Sequence, residues 1–133
     1  MKIIICGSVS SAAEEIFKAR DILVAKGHEV IIPEGMKNED LRSISEQTSD
    51  KIKYDLIRSY HEKIKNCDAI LVINPEKKGI VGYIGGNTFL EMGFGFVLNK
   101  KLFCLYAVPE IAYTQEILAM QPVILNGNLN LLK

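Results

Sequence analysis

Residues 2–8 read KIIICGS. After Lys2 the run to Cys6 holds no charged or hydroxyl side chain. A strand covered on both faces of a parallel sheet is apolar in this continuous way, rather than in alternation. Gly7 and Ser8 end the run. Ser10 or Ser11 then caps a helix predicted over residues 12–26, with Glu14 and Glu15 in its first turn near the positive end of the dipole. Ile16, Ala19, Ile22 and Leu23 share one face of that helix, and Gly27 stops it. Residues 28–32 (HEVII) form a second predicted strand, halted by Pro33.

Working outward, the pattern repeats. Residues 34–50 are polar and predict a long loop with a helical turn at 39–45, a length typical of lids and binding loops. A helix is predicted over 49–66, with Ile52, Leu56, Ile57, Tyr60 and Ile64 on one side. Residues 68–74 (DAILVIN) give a third strand, and 75–78 a charged turn. Residues 101–106 (KLFCLY) give a fourth strand, 113–120 a short helix and 122–125 (PVIL) a last strand, before a polar tail from Asn126. Strands alternating with helices imply parallel pairing through right-handed crossovers. The expected fold is therefore α/β: a flavodoxin-like, doubly wound, five-stranded parallel sheet in three layers, α/β/α, with residues 1–133 as one domain. In such sheets ligands sit outside the carboxyl ends of the strands, at the switch point. That rule gathers Gly7, Ser8, Asn74 and residues 85–91 on one rim.

Residues 79–99 (GIVGYIGGNTFLEMGFGFVLN) contain a single charged side chain, Glu91. An unpaired carboxylate loses several kcal/mol of hydration on burial, so its position needs a reason. Gly85, Gly86 and Asn87 read as a tight turn, Thr88 as a helix N-cap and 89–98 as a buried helix. Two readings of Glu91 follow. In one, Thr88 and Glu91 form a capping box. In the other, Glu91 is a catalytic carboxylate at a pocket mouth, where a glycine-rich turn lets a ligand approach the backbone.

Composition narrows the chemistry. The chain has 133 residues, 48% hydrophobic, with sixteen basic residues against sixteen acidic ones. That balance leaves no electrostatic footprint for nucleic acid or an anionic membrane. The apolar runs are too short or too interrupted to span a bilayer, and residues 1–2 lead into no cleavable-signal pattern. Cys6, Cys67 and Cys104 have no paired spacing and read as reduced thiols in a cytoplasmic protein. There is no Gly-x-Gly-x-x-Gly after the first strand, no Walker lysine and no metal-ligand spacing, so no cofactor and no metal are expected. His28 reads as structural, and His61 as a side chain within reach of the rim from the second helix. The rim offers hydroxyls, backbone N–H groups, an asparagine and one carboxylate. That set suits a sugar or sugar monophosphate.

Three stretches carry a family resemblance: residues 5–8 (ICGS), 65–72 (KNCDAILV), and 85–93 (GGNTFLEMG) followed by Lys100-Lys101. Together they resemble the nucleoside 2-deoxyribosyltransferase superfamily, which includes the 2'-deoxynucleoside 5'-phosphate N-hydrolases. The resemblance runs from residue 1 to about 106. It implies the flavodoxin-like fold, cleavage of an N-glycosidic bond and assembly into dimers or larger oligomers. It puts Glu91 at the nucleophile position and Gly7 and Ser8 on the sugar or its phosphate. The chain departs from the family pattern at Ile4 (usually Tyr), Tyr60 (usually Asp) and Gly85 (usually Ser or Asp). Tyr60, Tyr83 and His61 are the substitutes for a proton donor. Asn74, Gly85, Gly86, Asn87 and Thr88 complete the expected substrate contacts. Three functions stay open at this point: an N-glycosidic hydrolase or transferase, a catalytically reduced nucleotide sensor, and an interaction domain in which Glu91 is only a cap.

Overall fold

The computed structural model describes residues 1–33, 52 and 55–133. In chain order the elements are β1 (Lys2–Gly7), α1 (Val9–Ala25), β2 (Glu29–Ile31), α2 (Leu56–Lys65), β3 (Ala69–Ile73), α3 (Gly86–Val97), β4 (Lys101–Cys104), α4 (Thr114–Ala119) and β5 (Val123–Ile124), then a 3-10 turn at Leu129–Leu131. The strands form one sheet in the order β2-β1-β3-β4-β5, every neighbouring pair parallel. This is the flavodoxin-like doubly wound order. The loop and helical turn expected over 34–50, and the start of the helix expected at 49, lie outside the described residues. Ile52 is exposed.

Strand side chains alternate between two cores, as a period of two requires. Ile3, Ile5, Leu71, Ile73, Phe103 and Leu105 meet Ala12, Ile16, Ala19 and Leu23 of α1. Ile4, Cys6, Ile70, Val72, Leu102 and Cys104 face the other way, against Tyr60 and Ile64 of α2, Met92 of α3 and Ile117 of α4. The three layers are thus α1 with the 3-10 turn, the sheet, and α2, α3 and α4. Among the described residues no helix is long and apolar enough to cross a membrane.

Element ends differ from the sequence expectation in instructive ways. Helix α1 starts at Val9 with Ser8 as N-cap, so Glu14 and Glu15 fall beyond its first turn. The reason is the tight exit from β1: Ser8 O already accepts from the N–H groups of Ser11 and Ala12. Gly27 does stop the helix. With φ of +90° it lets its own N–H reach Val24 O and the His28 N–H reach Leu23 O, the Schellman arrangement. Ile22 sits at the edge of the apolar face, part exposed, while its three companions are buried. The tail is not merely polar: Leu132 is buried in the α1-side core.

Candidate functional site

The sheet order reverses between β1 and β3, and a cavity of about 310 Å³ opens there. That is the low end of the range for small-molecule sites. Its walls come from two helix starts. Gly7, Ser8, Val9 and Ser10 bring the exit of β1 and the beginning of α1, and Gly85, Gly86, Asn87 and Thr88 bring the beginning of α3. Tyr60 and Glu91 form the floor, on the Cys6 side of the sheet. Leu56, Ile57 and Phe94 add an apolar flank, and Lys77 and Tyr83 a polar one.

Helix α3 begins at Gly86 with Gly85 as its N-cap, and no side chain caps it. Thr88 is therefore the third helical residue and not the cap, and Glu91 is the sixth. The capping-box reading is overturned: Glu91 lies a turn and a half inside the helix, 8% exposed, and faces the cavity. The extended backbone of Gly85 needs only φ −78°, ψ 171°, so the helix starts three residues earlier than Thr88 suggests. Asn87, expected in the turn, is helical. Its Nδ2 donates to Glu91 Oε1 at 2.7 Å, the i, i+4 contact of one helix face. A side chain added at Gly86 would meet nothing within 4 Å, so the space before it is open.

Behind Glu91 the wall is protonated. Cys6 is fully buried; burial chiefly, then the charge of Glu91 and a hydrogen bond to it, raise its thiol well above the ordinary range. Tyr60 is raised well above the ordinary phenol range, by burial first and then by the charges of Cys6 and Glu91. Its hydroxyl donates to Ile5 O at 2.5 Å. At neutral pH both groups keep their protons, so neither sets an anion behind the carboxylate.

On the polar flank, Lys77 Nζ donates to Ser8 Oγ at 3.2 Å, and Ser8 Oγ lies 3.1 Å from Ser10 Oγ. Sequence reading missed Lys77. The signal was the charged turn directly after the carboxyl end of the third strand. It also missed Val9, Ser10, Pro33, Leu56, Ile57 and Phe94 as lining residues, because helix periodicity alone does not say which end of a face meets a crevice.

Asn74 is placed elsewhere. It is fully buried, its Nδ2 donates to Gly82 O, Tyr106 O and Ala107 O, and its Oδ1 accepts from the Tyr106 N–H. Those bonds use its amide, and it does not line this cavity. His61 does not line it either; its ring packs edge-on to Phe94 at 4.9 Å. His28 Nδ1 lies 2.9 Å from the terminal amine of Met1.

Fold and site together define a flavodoxin-like α/β protein with a carboxylate-floored cavity at its switch point. No family model and no curated protein matches the chain. Among solved structures it is similar to that of the Clostridium botulinum CMP N-glycosidase BcmB, with 19% identity over 93% of this chain and 85% of that chain and a TM-score of 0.49.

Proposed function

We propose that the protein cleaves or transfers at the N-glycosidic bond of a nucleoside or nucleoside 5'-monophosphate, with Glu91 as the nucleophile. The observation that carries this reading is a buried carboxylate on the floor of a ligand-sized cavity, steadied by Asn87 and backed by protonated groups. The apolar flank of Leu56, Ile57 and Phe94 suits a base, and the Ser8–Lys77 flank suits the far end of the sugar. The anomeric carbon then lies over Glu91. As the C1'–N bond lengthens, positive charge grows on the sugar ring, and the carboxylate stabilises it. A Glu91 oxygen bonds to C1', and the electron pair of the broken bond leaves with the base, which takes a proton. Water or a second base then attacks C1' and frees Glu91. Ser8, Gly7 and the open backbone at Gly85, Gly86 and Thr88 serve as substrate contacts.

The test is base release from a panel of nucleosides and their 5'-monophosphates, for the native chain and Glu91→Gln. Loss of release by at least about 10³-fold in Glu91→Gln is expected for a nucleophile. Release that the substitution leaves intact rules Glu91 out. One observation favours a second reading, a nucleotide sensor: the Tyr60 hydroxyl already donates to Ile5 O, which ties up a candidate proton donor for the departing base. A panel in which ligands bind and no base is freed selects the sensor.

Two further parts of the reading are assembly and location. A homodimer through α3 rests on Phe96 and Val97 being exposed on it. A cytoplasmic location rests on Cys6, Cys67 and Cys104 being unlinked.

A further inference from the structure

Residues 3–6 of β1 are three isoleucines and then Cys6. All are fully buried, and the thiol is the one side chain of the run that can donate a hydrogen bond. A buried thiol is usually no more than a small core hydrophobe. Cys104 shows that ordinary state: it lies on the same face of the sheet, in β4, and burial alone raises its thiol. Cys6 differs in its neighbours. Helix α3 packs on β1 and brings Glu91 to the strand's exit, where the Cys6 thiol and the Glu91 carboxylate share a hydrogen bond. Tyr60 closes the other side. Its hydroxyl donates to Ile5 O, one residue before Cys6, and is within hydrogen-bond reach of the thiol itself.

The direction of the Cys6–Glu91 bond follows from the protons. The thiol keeps its own at neutral pH, and a carboxylate can only accept. Cys6 therefore donates and Glu91 receives. Asn87 Nδ2 also donates to Glu91, at 2.7 Å, but from the helix that carries the carboxylate. Cys6 donates from a strand held between β2 and β3, and so ties the carboxylate to the sheet. A donor to the ionised form also favours that form. Cys6 does not line the cavity, so what it does there it does through Glu91. Among the described residues, the other titratable groups around the pair are Tyr60 from α2 and Cys67 from the turn before β3, with Lys77 and Tyr83 on the far flank of the cavity.

We propose that Cys6 is a positioning residue for Glu91: its S–H bond, donated from the strand, keeps the carboxylate charged and turned into the cavity. The catalytic consequence rests on reading Glu91 as the nucleophile. The bond itself, and its hold on the carboxyl proton, do not.

The test compares Cys6→Ser with Cys6→Ala. Serine and alanine are nearly equal in volume, so both lose the same packing, and only serine donates. Cys104→Ala controls for loss of a buried thiol on the same face. Glu91 is titrated by NMR of carboxyl-labelled glutamate, its signal assigned with Glu91→Gln. Ionisation is expected about one pH unit higher in Cys6→Ala, and close to native in Cys6→Ser and Cys104→Ala. The infrared S–H band that Cys6→Ser removes is expected to move to higher frequency in Glu91→Gln, where a neutral amide replaces the charged acceptor. Where the native chain frees base, Cys6→Ala is expected to lower kcat about 10- to 100-fold with KM little changed and the acid limb of the profile moved up, and Cys6→Ser to recover most of the rate. If the native chain frees no base while the titration and the band shift as expected, the catalytic reading fails and Cys6 still holds Glu91. Equal titration of Glu91 in Cys6→Ser and Cys6→Ala overturns the proposal. So does an S–H band indifferent to Glu91→Gln, a measurement that decides the matter even if Cys6→Ala does not fold.

Discussion

At the scale of single residues, Glu91 and Asn74 divide the polar interior between cavity wall and architecture. Both are nearly or fully buried on the same rim, and both looked like site residues from sequence. What separates them is where their side chains lie: Glu91 lines the cavity and Asn74 does not. Asn74 spends its amide on three carbonyls and one N–H, gathering the end of β3, the turn at Gly82 and the chain after β4. Asn74→Ala leaves those groups unmatched in the interior. We expect a loss of about 2–4 kcal/mol in urea unfolding, well beyond an ordinary surface substitution. A change under about 0.5 kcal/mol would show that water replaces the amide at no cost. Spacing in the sequence cannot make this distinction, because the partners lie 8 to 33 positions away. The Asn87–Glu91 pair was legible in principle, since four residues on a helix bring side chains together; reading Asn87 as a turn residue hid it.

At the scale of elements, α3 does most of the positioning and was the hardest to bound. Its apolar composition announced a buried helix, and Met92 and Gly95 do pack on the sheet. A side chain on Gly95 would come within 2.2 Å of Ile70 Cδ1, so the helix lies close against β3. The start was misjudged because Thr88 is a good cap by type, whereas the chain had already entered the helix at Gly86. The buried strands, by contrast, were plain from their continuous apolar runs. The outward side of α3 is unusual: Val97 is 77% exposed and Phe96 47%. We expect light scattering to give twice the chain mass, and Val97→Lys combined with Phe96→Lys to return it to one chain. A single-chain mass for the native protein at all concentrations would discard the homodimer.

At the scale of the whole molecule, burial of protonated groups sets a limit on the alkaline side. Burial pushes the Cys104 thiol up to about 12, and Cys6 and Tyr60 are raised as well. Below the ordinary thiol range both folded and unfolded chains hold these protons, and stability does not depend on them. As pH rises past about 9, the unfolded chain releases protons that the folded chain retains, so stability falls. Each group contributes up to about 1.4 kcal/mol per pH unit between its two values. Urea midpoints measured from pH 7 to 11 are expected to be level at first and then to decline, less steeply in Cys104→Ala. A level curve throughout would mean that the thiols exchange protons freely in the native state.

The doubly wound order was readable because each strand, helix and stop was written locally; the place of the crevice followed from that order, but its flanks at Lys77, Leu56, Ile57 and Phe94 did not, because they come together only where separate elements meet. The short turn that carries Lys77 is fastened at both feet, by Asn74 before it and Gly82 after it. Between those feet the intervening residues are nearly all at the surface or half-buried. This makes the stretch a graftable cassette: its contents can be exchanged for a differently charged sequence while the lip that bears it stays put. The charge at the cavity lip could therefore be changed by transplanting six or seven codons (roughly two turns of chain), without touching the carboxylate below.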